Sequence, residues 1–140
     1  LGSYTSDVDS SSVRGDIDDF TIVNQVMEEN TRHSAVMVHG DKLIVFFTRK
    51  GDMPERILLT TIDLKLPPTL WSTSKSMEVL KPEKEWEGST LPLYKSEASA
   101  INIPSNQLRD PAVYTENGRN YLLYSLRGEN GIGIVEFVIT

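Results

Sequence analysis

The chain has 140 residues, with 39% apolar residues and 20 acidic side chains against 14 basic, a net charge of −6. That length is enough for one domain with a modest core, and the acidic balance argues against nucleic acid as a partner, since phosphate needs a basic surface. No run of 18 apolar residues occurs, so no helix is long enough to span a membrane, and with no cysteine there is neither disulfide nor thiol chemistry.

In chain order, residues 1–19 are rich in Ser, Gly and Asp and are expected to form a flexible acidic N-terminal arm preceding a domain over 20–140. Asp7-x-Asp9-x-Ser11 starts like a calcium loop but lacks its later Gly and Glu, so it reads as a solvated tail. Thr21–Glu29 is the nearest approach to a helical apolar stripe, and it is short. The chain reads as nearly all β.

Residues 32–52 and 109–129 align without a gap at an offset of 77. Arg32, Ala35, Val36 and Gly51 meet identical residues at Arg109, Ala112, Val113 and Gly128, and Phe47, Thr48 and Lys50 meet Tyr124, Ser125 and Arg127. Each copy is strand, turn, strand, loop, strand. The first strands are Ser34–Val38 and Pro111–Thr115, and the second are Leu43–Thr48 and Tyr121–Ser125, short enough and apolar enough to be buried on both faces. The third are Ile57–Ile62 and Ile132–Phe137, so the repeats run near 32–62 and 109–137. Asn117-Gly118 is a strong hairpin signal, because a primed turn needs positive φ. Ser76–Leu80 is a candidate fourth strand for the first copy, and Phe20–Val26 for the second. Residues 63–108 form a long polar connection with five prolines, expected to be pinned by Trp71, Leu80 and Trp86.

Repeated meanders of this kind describe β-propeller blades. Two are too few for a closed ring. Either the chain, which begins with Leu, is a fragment or processed product, or copies associate blade to blade as a homo-oligomer; blade faces lacking neighbours favour association.

The run Leu108-Arg109-Asp110-Pro111-Ala112-Val113, followed by Gly118-Arg119-x-Tyr121-Leu122-Leu123-Tyr124-Ser125, resembles the five-bladed β-propeller glycoside hydrolases, the group holding families 43, 32 and 117. His33-Ser34-Ala35-Val36 opens a second blade of the same kind, so the resemblance spans residues 30–140 as two C-terminal blades. It implies a carbohydrate ligand, no cofactor, a secreted or periplasmic setting, and carboxylates converging in a central funnel, one ionised and one protonated for glycoside cleavage. On that resemblance Asp110 is a helper or substrate-binding carboxylate; otherwise it caps the strand and pairs with Arg109. Glu87, in Glu85-Trp86-Glu87-Gly88-Ser89, is similar to the acid of family 43, with Ser89 in place of the proline; its alternative is an exposed loop glutamate. His33 holds the same repeat position as Asp110 and either binds a sugar hydroxyl, acts as an acid, or fills the funnel. Arg109, Glu55 and Arg56 are candidates for reaching a ligand, the last two alternatively forming an ion pair at the blade rim. Trp86 offers a sugar-stacking face or a loop anchor. A non-catalytic carbohydrate-binding or scaffolding propeller is the competing reading. Two histidines without cysteine make a zinc site a poor fit, and no metal site is expected.

Overall fold

A computed structural model describes residues 2–6 and 20–140. The described residues hold nine strands, two single-turn 3-10 segments and no α-helix. Beside a two-stranded ladder of β1 (Gly2–Ser6) and β2 (Phe20–Gln25), the first main sheet has four strands in sequence order, β3 (Thr31–His39), β4 (Lys42–Arg49), β5 (Ile57–Asp63) and β6 (Met77–Leu80), and the second main sheet has three, β7 (Arg109–Glu116), β8 (Arg119–Ser125) and β9 (Ile132–Phe137). Every pairing is antiparallel.

The internal repeat governs register as well as sequence. Ala35 faces Phe46, Val36 faces Val45 and His39 faces Lys42. At an offset of 77, Ala112 faces Leu123, Val113 faces Leu122 and Glu116 faces Arg119. The third strand slips by two residues between copies: Val45 opposes Thr60, whereas Leu122 opposes Val135. A two-residue slip preserves which side chains face which side, so the faces of the two sheets correspond throughout. Both first hairpins close on two-residue turns. Asn117 (φ 52°) and Gly118 (φ 74°) are both left-handed, as a type I′ turn demands.

The main core lies between the two sheets. Ile44, Phe46 and Ile57 meet Leu108, Leu122, Tyr124 and Leu126, all buried. Phe46 sets its ring edge-on to Phe137 at 5.2 Å, a geometry contributing about 1 kcal/mol beyond area burial. Gly133 lies opposite Tyr124 on the ladder, and a Cβ there would sit 2.5 Å from the tyrosine ring, so the ring lies directly over the glycine. A second cluster covers the other face of the first sheet, with Val45, Phe47, Leu58 and Ile62 against Met27.

Several expectations are modified. Gly2–Ser6 forms β1 and pairs with β2 (Phe20–Gln25), so this part of the expected N-terminal arm is a strand; residues 7–19, with the Asp7–Ser11 motif, lie outside the described residues. β2 is the strand expected over Phe20–Val26, but it pairs with β1, not with β9; its candidacy as a fourth strand of the second sheet fails because its ladder partner is local. The fourth strand of the first sheet forms as expected, over Met77–Leu80. Within 63–108, Trp71 packs against the second cluster and donates its indole N–H to the Leu66 carbonyl at 2.9 Å, and Leu80 packs against the main core. Trp86 does not anchor the loop: it is 55% exposed.

Candidate functional site

The site is built on a backbone irregularity that occurs twice. The β3–β4 register shifts between Thr31 and Ser34, and the β7–β8 register shifts between Arg109 and Ala112. The unpaired residues at these bulges include Arg32-His33 in one copy and Asp110-Pro111 in the other. A bulge bends its strand and re-aims its side chains. Asp110 sits at φ 50°, a left-handed conformation that Asp tolerates better than most residues, and Pro111 needs no ladder partner because it has no N–H. In each copy the arginine then turns inward and its neighbour turns outward.

The inward pair converges on one carboxylate. Arg32 Nη1 donates to Glu55 Oε1 at 3.2 Å and Oε2 at 3.0 Å. Arg109 Nε lies 2.9 Å from Glu55 Oε2, and Ser96 Oγ donates to the same oxygen at 2.5 Å. Arg109 also reaches Gln107 Oε1, the Ser99 carbonyl and Glu129 Oε1. Glu55 is 0% and Arg109 1% exposed. Two arginines and two glutamates form a cluster without net charge, buried at Glu55 and Arg109 and open to solvent at Glu129, that joins the β4–β5 loop to the entry of β7. Its geometry is structural: the Glu55 and Arg109 head groups are occupied by one another and by these neighbours. Arg56 faces outward, with Nε 3.6 Å from Asp52 and 3.4 Å from Glu78, tying the loop to β6.

The outward pair meets itself. His33 and Asp110 share one repeat position and contact each other across the junction of the two sheets, Nδ1 to Oδ1. Ser125 Oγ donates to the other Asp110 oxygen at 3.1 Å. The alternative ion pair between Asp110 and Arg109 does not form, because the bulge sends the two side chains apart. An ionised carboxylate only accepts, so the proton of a neutral His33 sits on Nδ1 and Nε2 is left as the basic nitrogen. The imidazole is 64% exposed and Asp110 31%, so this acid–base couple is open to an incoming molecule.

Glu87 lies elsewhere. It belongs to a 3-10 turn, Glu85–Glu87, and is 6% exposed, so it is not an exposed loop glutamate. Its Oε2 accepts the backbone N–H groups of Glu83 and Lys84, both at 2.9 Å, and its Oε1 accepts the Tyr124 hydroxyl at 3.1 Å. Burial, and then the neighbouring Glu87 carboxylate, push the Tyr124 phenol up to about 12. Tyr124 and Ser125 are consecutive on β8, so their side chains leave opposite faces of the sheet. Glu87, held by Tyr124, and Asp110, held by Ser125, are therefore on opposite faces. Trp86 rims an open cleft of about 430 Å³ with Glu85, Thr90, Leu91 and Arg127.

Sequence reasoning missed Ser125, Tyr124 and Ser96 as partners of the candidate carboxylates. The Thr48–Ser125 match within the repeat was a usable signal for the first; nothing local marks the other two. Among the described residues, no group of three or more His, Asp or Glu is placed to hold a metal ion, and no helix is long and apolar enough to cross a membrane.

No protein-family model matches the chain, and no solved structure matches it. Among curated proteins it is similar to the uncharacterized protein R118 of Acanthamoeba polyphaga mimivirus, with 41% identity over 102 residues, which are 72% of this chain and 29% of that protein. The chain thus spans under a third of the relative it matches.

Proposed function

We propose that the two sheets are neighbouring blades of a β-propeller, and that the mouth of their inner strands binds carbohydrate in the manner of the glycoside hydrolase propellers that the sequence resembles. The observation that carries this reading is the contact between His33 and Asp110, 77 residues apart and equivalent in the repeat. Inner strands of successive blades converge on one axis, and equivalent residues at their mouths are the ones such convergence brings together. A carboxylate that accepts and an imidazole that accepts or donates suit sugar hydroxyls, which do both. The length of the relative fits: 102 residues are 29% of it, so it runs to about 350 residues, room for roughly four to five units at this spacing.

The same geometry favours a second reading, binding without cleavage. Glycoside hydrolysis needs two carboxyl groups roughly 5–10 Å apart, flanking the scissile bond. Glu87 and Asp110, on opposite faces of one sheet, do not make such a pair. Cleavage therefore requires another carboxylate at the mouth. Titration of a panel of neutral oligosaccharides, together with turnover of aryl glycosides, tests both readings. His33→Ala and Asp110→Asn are expected to weaken glycan binding about tenfold or more, the loss of about 1.4 kcal/mol, whereas Glu87→Gln leaves binding intact. Unchanged affinity in both mouth variants, or no glycan bound by the wild-type chain, would sink the proposal.

A further inference from the structure

The dipeptide Asn-Gly occurs twice in the chain, at Asn117-Gly118 and at Asn130-Gly131. Such a pair carries a reaction of its own. The glycine's backbone nitrogen attacks the asparagine Cγ carbonyl, a C–N bond forms, and the side-chain nitrogen leaves as ammonia. Water then opens the cyclic imide at one of its two carbonyls. One opening gives aspartate; the other gives isoaspartate, in which the main chain runs through the former side chain. One water enters and one ammonia departs, so the step needs no enzyme, oxidant or cofactor. A side chain on the following residue hinders the attacking nitrogen. The other five asparagines all precede residues larger than glycine, so the two Asn-Gly pairs are the sites that compete.

The structure separates them. Asn117 and Gly118 form the tip of the β7–β8 hairpin, and both are exposed. Asn117 makes no side-chain hydrogen bond to the described residues. Nothing lies within 4 Å of the place a Cβ on Gly118 would take, and the ladder closes at Glu116 and Arg119, outside the pair. Exposed loop tips open locally at little cost, and such opening brings the Gly118 nitrogen to the Asn117 Cγ. Asn130 is tied down instead. Its Nδ2 donates to the Arg127 carbonyl at 3.0 Å, its backbone N–H donates to the Leu126 carbonyl at 3.1 Å, and the Gly131 carbonyl accepts the Leu126 N–H at 3.0 Å. A Cβ on Gly131 would lie 2.8 Å from Leu126 Cδ1, so that glycine is packed against its neighbour. We propose that Asn117 is a site of spontaneous modification to aspartate and isoaspartate in the folded protein, and that Asn130 is protected from it. The two products differ in effect. Asp-Gly suits the same type I′ turn as Asn-Gly, so aspartate keeps the hairpin. Isoaspartate puts an extra carbon into the main chain of the two-residue turn that sets Glu116 opposite Arg119 and, beyond them, Val113 opposite Leu122. Hairpin register is fixed by turn type and length, so this product loosens the sheet that carries Asp110 and Ser125. Neither the blade reading nor sugar binding enters into this chemistry.

The test needs no ligand. The folded wild-type chain is held at mildly alkaline pH, where the attacking nitrogen loses its proton more readily, and is sampled at intervals by tryptic digestion. Cleavage after Arg109, Arg119 and Arg127 puts Asn117 and Asn130 in separate peptides, 110–119 and 128–140, neither of which holds another asparagine or any glutamine. Mass spectrometry reads the replacement of the amide nitrogen by oxygen, and an isoaspartyl-specific methyltransferase labels the rearranged product. The expected result is that peptide 110–119 converts severalfold faster than 128–140, with isoaspartate among its products. In urea, where the turn and the ties at Asn130 are both lost, that difference should disappear. Equal conversion of the two peptides in the folded chain, faster conversion of 128–140, or a 110–119 peptide that stays unmodified overturns the proposal. Asn117→Asp supplies the aspartyl product in pure form and should melt with the wild type, whereas the isoaspartyl form should melt below both. An isoaspartyl form that melts with them would overturn the claimed effect on the sheet.

Discussion

Replacing Glu55 by Gln keeps its shape and removes the one carboxylate shared by two buried arginines. Arg109, 1% exposed, retains Glu129, Gln107 and the Ser99 carbonyl. Arg32, whose side chain is 8% exposed, keeps no charged partner among its contacts with the described residues. The cluster passes from neutral to a net positive charge inside the junction of the two sheets. Breaking a buried pair by removing one partner costs about 3–5 kcal/mol, a large share of a domain stability of about 5–15 kcal/mol. At this chain length each kcal/mol is worth roughly 4 °C, so the melting temperature should fall by roughly 12 °C or more. Thermal unfolding followed by circular dichroism reads this directly. Adding Arg32→Met to Glu55→Gln removes the surplus charge, and the double variant should be less destabilised than the sum of the two singles, by about 1–2 kcal/mol of coupling. A Glu55→Gln melting point within about 3 °C of wild type, or strict additivity in the double, would show that the cluster does not hold the two sheets together.

Gly133→Ala drives a methyl into the Tyr124 ring, and overpacking of this kind should cost about 1–3 kcal/mol, read as a lowered urea midpoint at unchanged slope. The Tyr124 phenol should ionise near pH 12 in an ultraviolet titration, a step that Tyr124→Phe removes. Its phenol is raised in the folded state, so the stability it lends is complete below pH 10, the ordinary tyrosine value, and is lost as the pH rises from 10 to about 12. Tyr124→Phe should flatten stability over that range; an unchanged alkaline profile would count against the Glu87 contact. Arg119→Ala breaks an exposed pair with Glu136 that water screens, and should leave the melting temperature nearly unchanged, a surface contrast to Glu55.

The strand pattern was legible because it was written twice. A side-chain period of two means that a gap-free match over two strands and a turn carries register and facing with it, and the pairs Val36–Val45 and Val113–Leu122 follow. The meeting of His33 with Asp110 was legible in outline, since equivalence in the repeat implies a shared direction. The fates of Glu55 and Glu87 were not. Both read as loop carboxylates, and what buries Glu55 is the convergence of Arg32 and Arg109 from strands 77 residues apart. What buries Glu87 is a single turn whose backbone N–H groups need an acceptor. Neither cause leaves a local pattern. The strand expected over Phe20–Val26 forms, over Phe20–Gln25, but its partner was not legible: it pairs with Gly2–Ser6, which propensity does not see.

On the proposed reading, the couple formed by His33 and Asp110 is where a sugar meets this chain. Backbone and imidazole NMR shifts recorded during titration with neutral oligosaccharides test it most directly. If sugar binds there, His33, Ser34, Asp110 and Ser125 move first and saturate together, while the Tyr124 and Glu87 signals on the opposite face stay in place. Saturable shifts centred on Trp86 and Glu87, with the His33 imidazole unmoved, would contradict it.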